Sequence, residues 1–212
     1  DRGLLFGPKY AIFDNAMRQC AANSPSVLHR RPLRLLVTAG GSDPYGITEM
    51  ALEAVLREPD CRDLDVRVIL GALFAEQRKE QLRATNTKGQ KIVWVDAPSD
   101  LCKELSWCDV IVSATGLTKY EVSLFGVPAV FISGELSHHE ANEHFAACES
   151  GIYLGPISNL RHQEVARALR ELINDSWRRS VLSQRGRSLV DGEGSRRVLD
   201  AIFRAQKTRN SQ

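Results

Sequence analysis

From Leu33 onward, short apolar runs with strand character alternate with amphipathic helical patterns, and each run ends in a turn rich in Gly, Ser or Pro. Continuous apolar strands separated by helix-length segments are strands buried on both faces, joined by crossovers that pass over the sheet. That pattern restricts the chain to the α/β class: a Rossmann-like parallel sheet of about six strands with helices on both faces. The strand runs are Leu33 to Thr38, Val66 to Leu70, Ile92 to Val95, Val110 to Ser113, Ala129 to Ser133 and Ile152 to Leu154. Helical periodicity covers about Ile47 to Leu56, Glu76 to Ala84, a short segment capped by Ser99 through Leu105, and a segment through Leu124. Ser137 and Glu140 fit a capping box for a helix running to Glu149, and helices at about Gln163 to Asn174, Trp177 to Leu189 and Ser195 to Gln206 close the chain.

In such sheets ligands sit outside the carboxyl ends of the strands, so the loops after strands are where chemistry is expected. Ala39-Gly40-Gly41-Ser42-Asp43-Pro44 follows the first strand. Glycines there let backbone approach an anion while helix-start amides point at it, and Ser42 adds a hydroxyl. The same residues also fit a tight turn with Asp43 as N-cap and Pro44 at the first helical position, and both readings stand. There is no G-x-G-x-x-G, and the second strand ends at Leu70-Gly71 where a dinucleotide site needs an acidic residue; no G-K-[ST] follows the glycines. These absences disfavour NAD and exclude a Walker-type nucleotide hydrolase.

Ser113-Ala114-Thr115-Gly116-Leu117-Thr118-Lys119-Tyr120-Glu121 repeats the arrangement, a strand ending in small and hydroxyl residues before a helix. Glu121 in that first turn complements the helix dipole whatever it binds, and it can also accept from adjacent sugar hydroxyls. The third loop holds His138, His139, Glu140 and Asn142, with His144 beyond; His139 and His144 are five apart. At ~100° per residue they point ~140° apart and cannot share a zinc ion, so zinc hydrolysis is rejected. His138 and His139 read better as a solvated helix start than as ligand-facing groups, and a histidine or Asn142 facing the ligand is the alternative.

The charge balance of 28 basic and 26 acidic residues, net +2, lacks the concentrated basic field that nucleic-acid binding needs. The basic stretch from Arg196 to Arg209 reads as a solvated helical face. No apolar run is long enough for a bilayer, so no membrane partner is expected. Five cysteines, an odd number without C-x-x-C, fit neither a disulfide framework nor a zinc site and point to a cytoplasmic location. The chain opens at Asp1, and it is expected to be part of a longer polypeptide, with 1–32 a connector and lead-in and 33–212 the domain.

The ordered set Gly7-Pro8-Lys9-Tyr10-Ala11, Gly40-Gly41-Ser42-Asp43-Pro44, Ser113 to Glu121, Leu124-Phe125-Gly126-Val127-Pro128 and Val190-Asp191-Gly192-Glu193-Gly194 resembles the C-terminal half of the UDP-sugar hydrolase of pseudaminic acid biosynthesis. That family is similar in fold to the peptidoglycan N-acetylglucosaminyltransferase, and the resemblance covers nearly all 212 residues. It implies a GT-B architecture in which this half holds UDP or a UDP-sugar and the N-terminal domain of the same parent polypeptide is the partner. The implied roles place Gly41 and Ser42 near the diphosphate, with Gly116, Leu117 and Thr118 contacting it. Glu121 would hold the ribose and Ala97-Pro98 would pass beside the uracil. With Gly40, Asp43, Gly71, Thr115 and Asn142 these form the candidate substrate-binding set. The family's Asn-Gln pair after the fifth strand is replaced here by Leu136-Ser137-His138-His139-Glu140, so either Asn142 takes the place of one amide or a different sugar is used.

The resemblance puts the catalytic histidine in the N-terminal domain, so no catalytic residue is assigned to this chain, and neither cofactor nor metal is implied. The ligand's charge is expected to be met by amides at two helix starts and not by a field of lysines. The alternatives are the donor half of a GT-B glycosyltransferase and a non-catalytic nucleotide-sugar-binding module. The chain alone is expected to bind a UDP-like ligand weakly without turning it over. Release of UDP from a UDP-sugar by the isolated chain at an enzyme-like rate would contradict that assignment.

Overall fold

A computed structural model of the chain describes residues 4–24, 33–87, 89–135, 142–143 and 145–210. Its centre is a six-stranded, wholly parallel sheet in the order β3-β2-β1-β4-β5-β6. The strands are β1 (Arg34–Thr38), β2 (Asp65–Leu70), β3 (Ile92–Asp96), β4 (Val110–Ala114), β5 (Ala129–Ser133) and β6 (Ile152–Pro156). This is the α/β Rossmann-like class that the alternating pattern predicts.

Period-two alternation divides the strand side chains between two cores. Leu35, Val37, Val66, Val68, Val112, Val130 and Ile132 point to one face. There they meet Ile47, Ala51 and Val55 of α2 (Ile47–Arg57) and Val165, Leu169 and Leu172 of α6 (His162–Asn174). Leu36, Ile69, Ile111, Ala129 and Phe131 point to the other face. Covering them are Ala21 of α1 (Asn15–Asn23), Cys102 and Leu105 of α4 (Leu101–Trp107), and Val122 and Phe125 of α5 (Thr118–Phe125). The remaining helices are α3 (Glu76–Arg83), α7 (Ser176–Leu189), packed on α5, and α8 (Gly194–Asn210).

Several local expectations shift. Helix α4 is capped by Asp100, which accepts from Cys102 N at 2.9 Å, one residue beyond Ser99. Helix α2 begins at Ile47 behind Gly46, which is left-handed at φ +80°, so Pro44 is not at its first position. The Ser137/Glu140 capping box and His138, His139 and His144 lie outside the described residues. Residues 15–23, read from sequence as connector, form a helix whose cap Asp14 accepts from Met17 N at 2.7 Å. At the other terminus Arg197 donates to the Lys9 carbonyl at 2.9 Å and pairs with Asp191, whose carboxyl it pulls down to about 2. Part of the basic tail therefore fastens α8 to the opening segment. Among the described residues no helix is long and apolar enough to cross a membrane.

The loops after β1 and β2 touch at Gly71. A Cβ there would lie 2.3 Å from the carbonyl oxygens of both Gly40 and Gly41, so only glycine permits the approach. Gly71→Ala is expected to destabilise the domain by about 1–3 kcal/mol, read from denaturant unfolding, because backbone on both sides must shift. An unfolding midpoint equal to that of the parent chain would show that the two loops move apart freely.

Candidate nucleotide-sugar site at the sheet switch point

Strand order reverses between β1 and β4: chain connections leave β1 toward β2 on one side and reach β4 on the other. A crevice at the carboxyl end of the sheet follows from such a reversal. A cavity of about 320 Å³ occupies it, lined by Ala39, Asp43, Pro44, Tyr45, Ile47, Ala114, Thr115, Gly116, Lys119, Gly134 and Asn142.

The glycine loop after β1 forms one wall. Asp43, at φ 42°, is 1% exposed, and its carboxylate accepts from Ile47 N at 2.9 Å and Thr48 N at 2.8 Å. It thus fills the positive end of α2 with the protein's own charge, from further upstream than an ordinary N-cap. Arg78 of α3 completes the wall: it donates to Asp43 Oδ2 at 3.0 Å, to the Ser42 carbonyl at 3.1 Å and to the Asp43 carbonyl. Glu49 takes its remaining donors at 2.7 Å. The Glu49 partnership raises the Arg78 guanidinium further above its ordinary value, and the same bonds lower the Glu49 carboxyl against the opposing effect of burial. Gly41 is held through its carbonyl, which accepts from Leu73 N at 2.9 Å.

The opposite wall is the loop after β4 and the start of α5. Thr115 is buried, Gly116 and Leu117 are exposed, and Thr118 is half-buried. Lys119, in the first turn of α5, is 8% exposed and donates to Asn142 Oδ1; Asn142 Nδ2 in turn donates to Thr115 Oγ1 at 2.9 Å. Burial holds the Lys119 ammonium below its ordinary value. Over the crevice Tyr45 lies against Gly134, where a Cβ would be 2.1 Å from the ring, and its hydroxyl donates to Glu135. That hydrogen bond raises the Tyr45 phenol.

Glu121 stands on the far side of the same helical turn, lining a second cavity of about 400 Å³ with Leu117, Tyr120, Phe145 and residues of the 5–13 segment. Burial raises its carboxyl, partly offset by a hydrogen bond from Thr118. Ala97 and Pro98 lie beyond β3, with Ala97 at φ 34° and its N–H on the Leu70 carbonyl at 2.8 Å. They lead into α4, on the sheet face that carries α5. Asp43, Thr115, Gly116 and Asn142 thus converge on one cavity, Gly40, Gly41 and Gly71 form the contact behind its wall, and Glu121 and Ala97-Pro98 stand apart.

Lys119, Tyr45 and Gly134 line the cavity without belonging to the candidate set. For Lys119 the available signal is its place in the first turn of a helix opening from the hydroxyl-rich loop. One feature departs from the expected pair of amide-lined helix starts: Asp43 occupies the first amides of α2; a single lysine, not a field of them, faces the cavity. Among the described residues no group of three His, Cys, Asp or Glu side chains is arranged to hold a metal ion.

No protein-family model matches the chain. The spore coat polysaccharide biosynthesis protein SpsG of Bacillus subtilis (strain 168) is 27% identical over 193 residues, covering 91% of this chain and 56% of that protein. The UDP-N-acetylglucosamine--N-acetylmuramyl-(pentapeptide) pyrophosphoryl-undecaprenol N-acetylglucosamine transferase of Listeria monocytogenes is 23% identical over 177 residues, covering 82% of this chain and 48% of that protein. The crystal structure of Acinetobacter baumannii MurG superposes with a TM-score of 0.69 at 18% identity, covering 95% of this chain and 56% of that one. The chain spans about half the length of these relatives. Its fold is that of the C-terminal-like half of GT-B glycosyltransferases.

Asp43→Ala is expected to cost about 2–4 kcal/mol of stability, since it strips the cap of α2 and leaves Arg78 without a buried partner. Urea unfolding measures it. A loss comparable to that of an exposed cap alone would show that Arg78 and the Ser42 and Asp43 carbonyls hold the loop unaided.

Proposed function

We propose that this chain is the nucleotide-sugar-binding half of a GT-B glycosyltransferase, with 33–212 as the binding domain and 1–32 leading in from a second, N-terminal half. The observation that carries the reading is the cavity at the β1/β4 reversal, walled by a glycine loop and the start of α5. The hydrolase implied by the motif resemblance uses the same binding surface. The transferase alternative is the better supported, because the relatives above are a sugar transferase and a polysaccharide biosynthesis protein.

In this reading the ligand is UDP-linked, with its diphosphate at the first turn of α5 near Gly116, Leu117 and Thr118. Gly40, Gly41 and Ser42 border it, with Gly71 behind them and Asp43 holding the loop's shape. Glu121 accepts from the ribose hydroxyls, and the base extends toward Ala97-Pro98. The domain stabilises the departing nucleotide diphosphate by preorganised donors and the helix dipole. The acceptor and the proton-transfer group belong to the other half.

Glu121→Ala is expected to weaken UDP and uridine alike by about tenfold or more, as two charge-assisted hydrogen bonds to the ribose are lost, and to leave inorganic pyrophosphate unaffected. Calorimetry on a variant with unchanged circular dichroism tests this. Undiminished uridine binding would remove the ribose assignment and leave Glu121 as a dipole-complementing carboxylate.

A further inference from the structure

Lys119 is a buried cation with a neutral partner. Its ammonium donates to Asn142 Oδ1 and lies 5.0 Å from the Tyr120 ring centroid and 5.4 Å from that of Phe145. Among the described residues it forms no ion pair with a carboxylate. Asp43, the carboxylate on the same cavity, is committed to Arg78 and to two amides. Cation–π contact offsets part of the cost of burying the charge, but an anion offsets far more. Packing alone would be met by an uncharged side chain of similar length.

The polarity of the contacts is informative. An ammonium carries three donors and no acceptor. Lys119 places one N–H on Asn142 Oδ1, which turns the Asn142 amide nitrogen toward Thr115 Oγ1 at 2.9 Å. Having accepted there, the Thr115 hydroxyl has its own proton left to donate. Asn142 thus presents its acceptor to the lysine and its amide to the threonine, and the donors left for the cavity are the two other N–H groups of Lys119 and the Thr115 hydroxyl proton. A group with several anionic oxygens matches such a surface, and an amine or a cation does not.

We infer that Lys119, Asn142 and Thr115 form a donor relay for the phosphate oxygens of the ligand, with Lys119 supplying the fixed positive charge of the site. This deepens the nucleotide-sugar reading and rests on it for the identity of the rest of the ligand. Lys119 is then the residue by which the cavity distinguishes a diphosphate from a neutral nucleoside.

The experiment is calorimetry with UDP, uridine and inorganic pyrophosphate on the 212-residue chain, on Lys119→Met and on Lys119→Gln, together with thermal unfolding of each. Lys119→Gln retains a donor for Asn142 without the charge. Both variants are expected to lose about ten- to hundredfold in affinity for UDP and pyrophosphate and to keep uridine affinity within about twofold. Lys119→Met is expected to unfold at the same temperature as the parent or higher, since a charge without a counterion has left the interior. Equal losses for UDP and uridine, unchanged pyrophosphate binding in both variants, or a lowered unfolding temperature in both would overturn the inference by reducing Lys119 to a structural role. Should the parent bind pyrophosphate in a Lys119-dependent way but UDP no more tightly, the nucleotide reading fails and the anion relay stands. Should it bind neither, both fall.

Discussion

The reversal of strand order beside β1 is the constraint on which the rest of the molecule depends. Crossovers between parallel strands are right-handed, so a chain that moves outward from β1 through β2 to β3 and then returns to β4 must place its connecting helices on opposite faces. Helix α2 leaves the end of β1 toward one core and α5 leaves the end of β4 toward the other. Two adjacent strands therefore end in loops that diverge, and the gap between them becomes the cavity. No side chain was needed to open it; side chains decide only what it accepts.

They decide it asymmetrically. Both flanking helices present free amides and a positive dipole end, yet the two ends are treated in opposite ways. At α2 the protein supplies its own carboxylate, Asp43, and neutralises it with Arg78, whose donors also hold the loop carbonyls. That end is a structural joint. At α5 the first-turn carboxylate, Glu121, lies on the far side of the turn in a separate cavity, and Lys119 adds a positive charge on the side that faces the crevice. In the proposed reading, a chain of net charge +2 meets an anion locally, because the field that matters arises from a few buried groups.

How far this was legible in the sequence depends on whether a feature is local. The strands were, since a strand buried on both faces must be a short apolar run. Helix α1 was not: Ala21 is its buried residue, with Met17 and Cys20 only partly covered, a stripe too thin to register as periodicity. The start of α2 at Ile47 was legible, but its cap was not, because Asp43 reaches amides four and five residues ahead, across a left-handed glycine, outside the spacing of ordinary caps. Gly71 was visible as a strand terminator, whereas its need to lack a Cβ arises from a loop some thirty residues earlier. The burial of Lys119 depends on Asn142 and Phe145, which lie far along the chain beyond β5, out of reach of any local pattern.

In the proposed reading, the placing of Lys119 and Glu121 lets a single helical turn serve two parts of one ligand. Residues two apart on a helix do not face each other, so these opposite charges do not neutralise one another despite their proximity in sequence. Each lines its own cavity, and burial disfavours the charged form of both, lowering the ammonium and raising the carboxyl. A ligand that is anionic at one end and rich in hydroxyls a short distance away relieves both at once: phosphate oxygens meet the lysine on one side of α5 and a diol meets the glutamate on the other. Relief of two desolvated charges by complementary groups on one molecule favours a joined phosphate and sugar over either component alone, since the second contact forms within a complex already assembled. On that reading the ridge of α5 between the two cavities sets the spacing between charge and hydroxyls that the ligand must match.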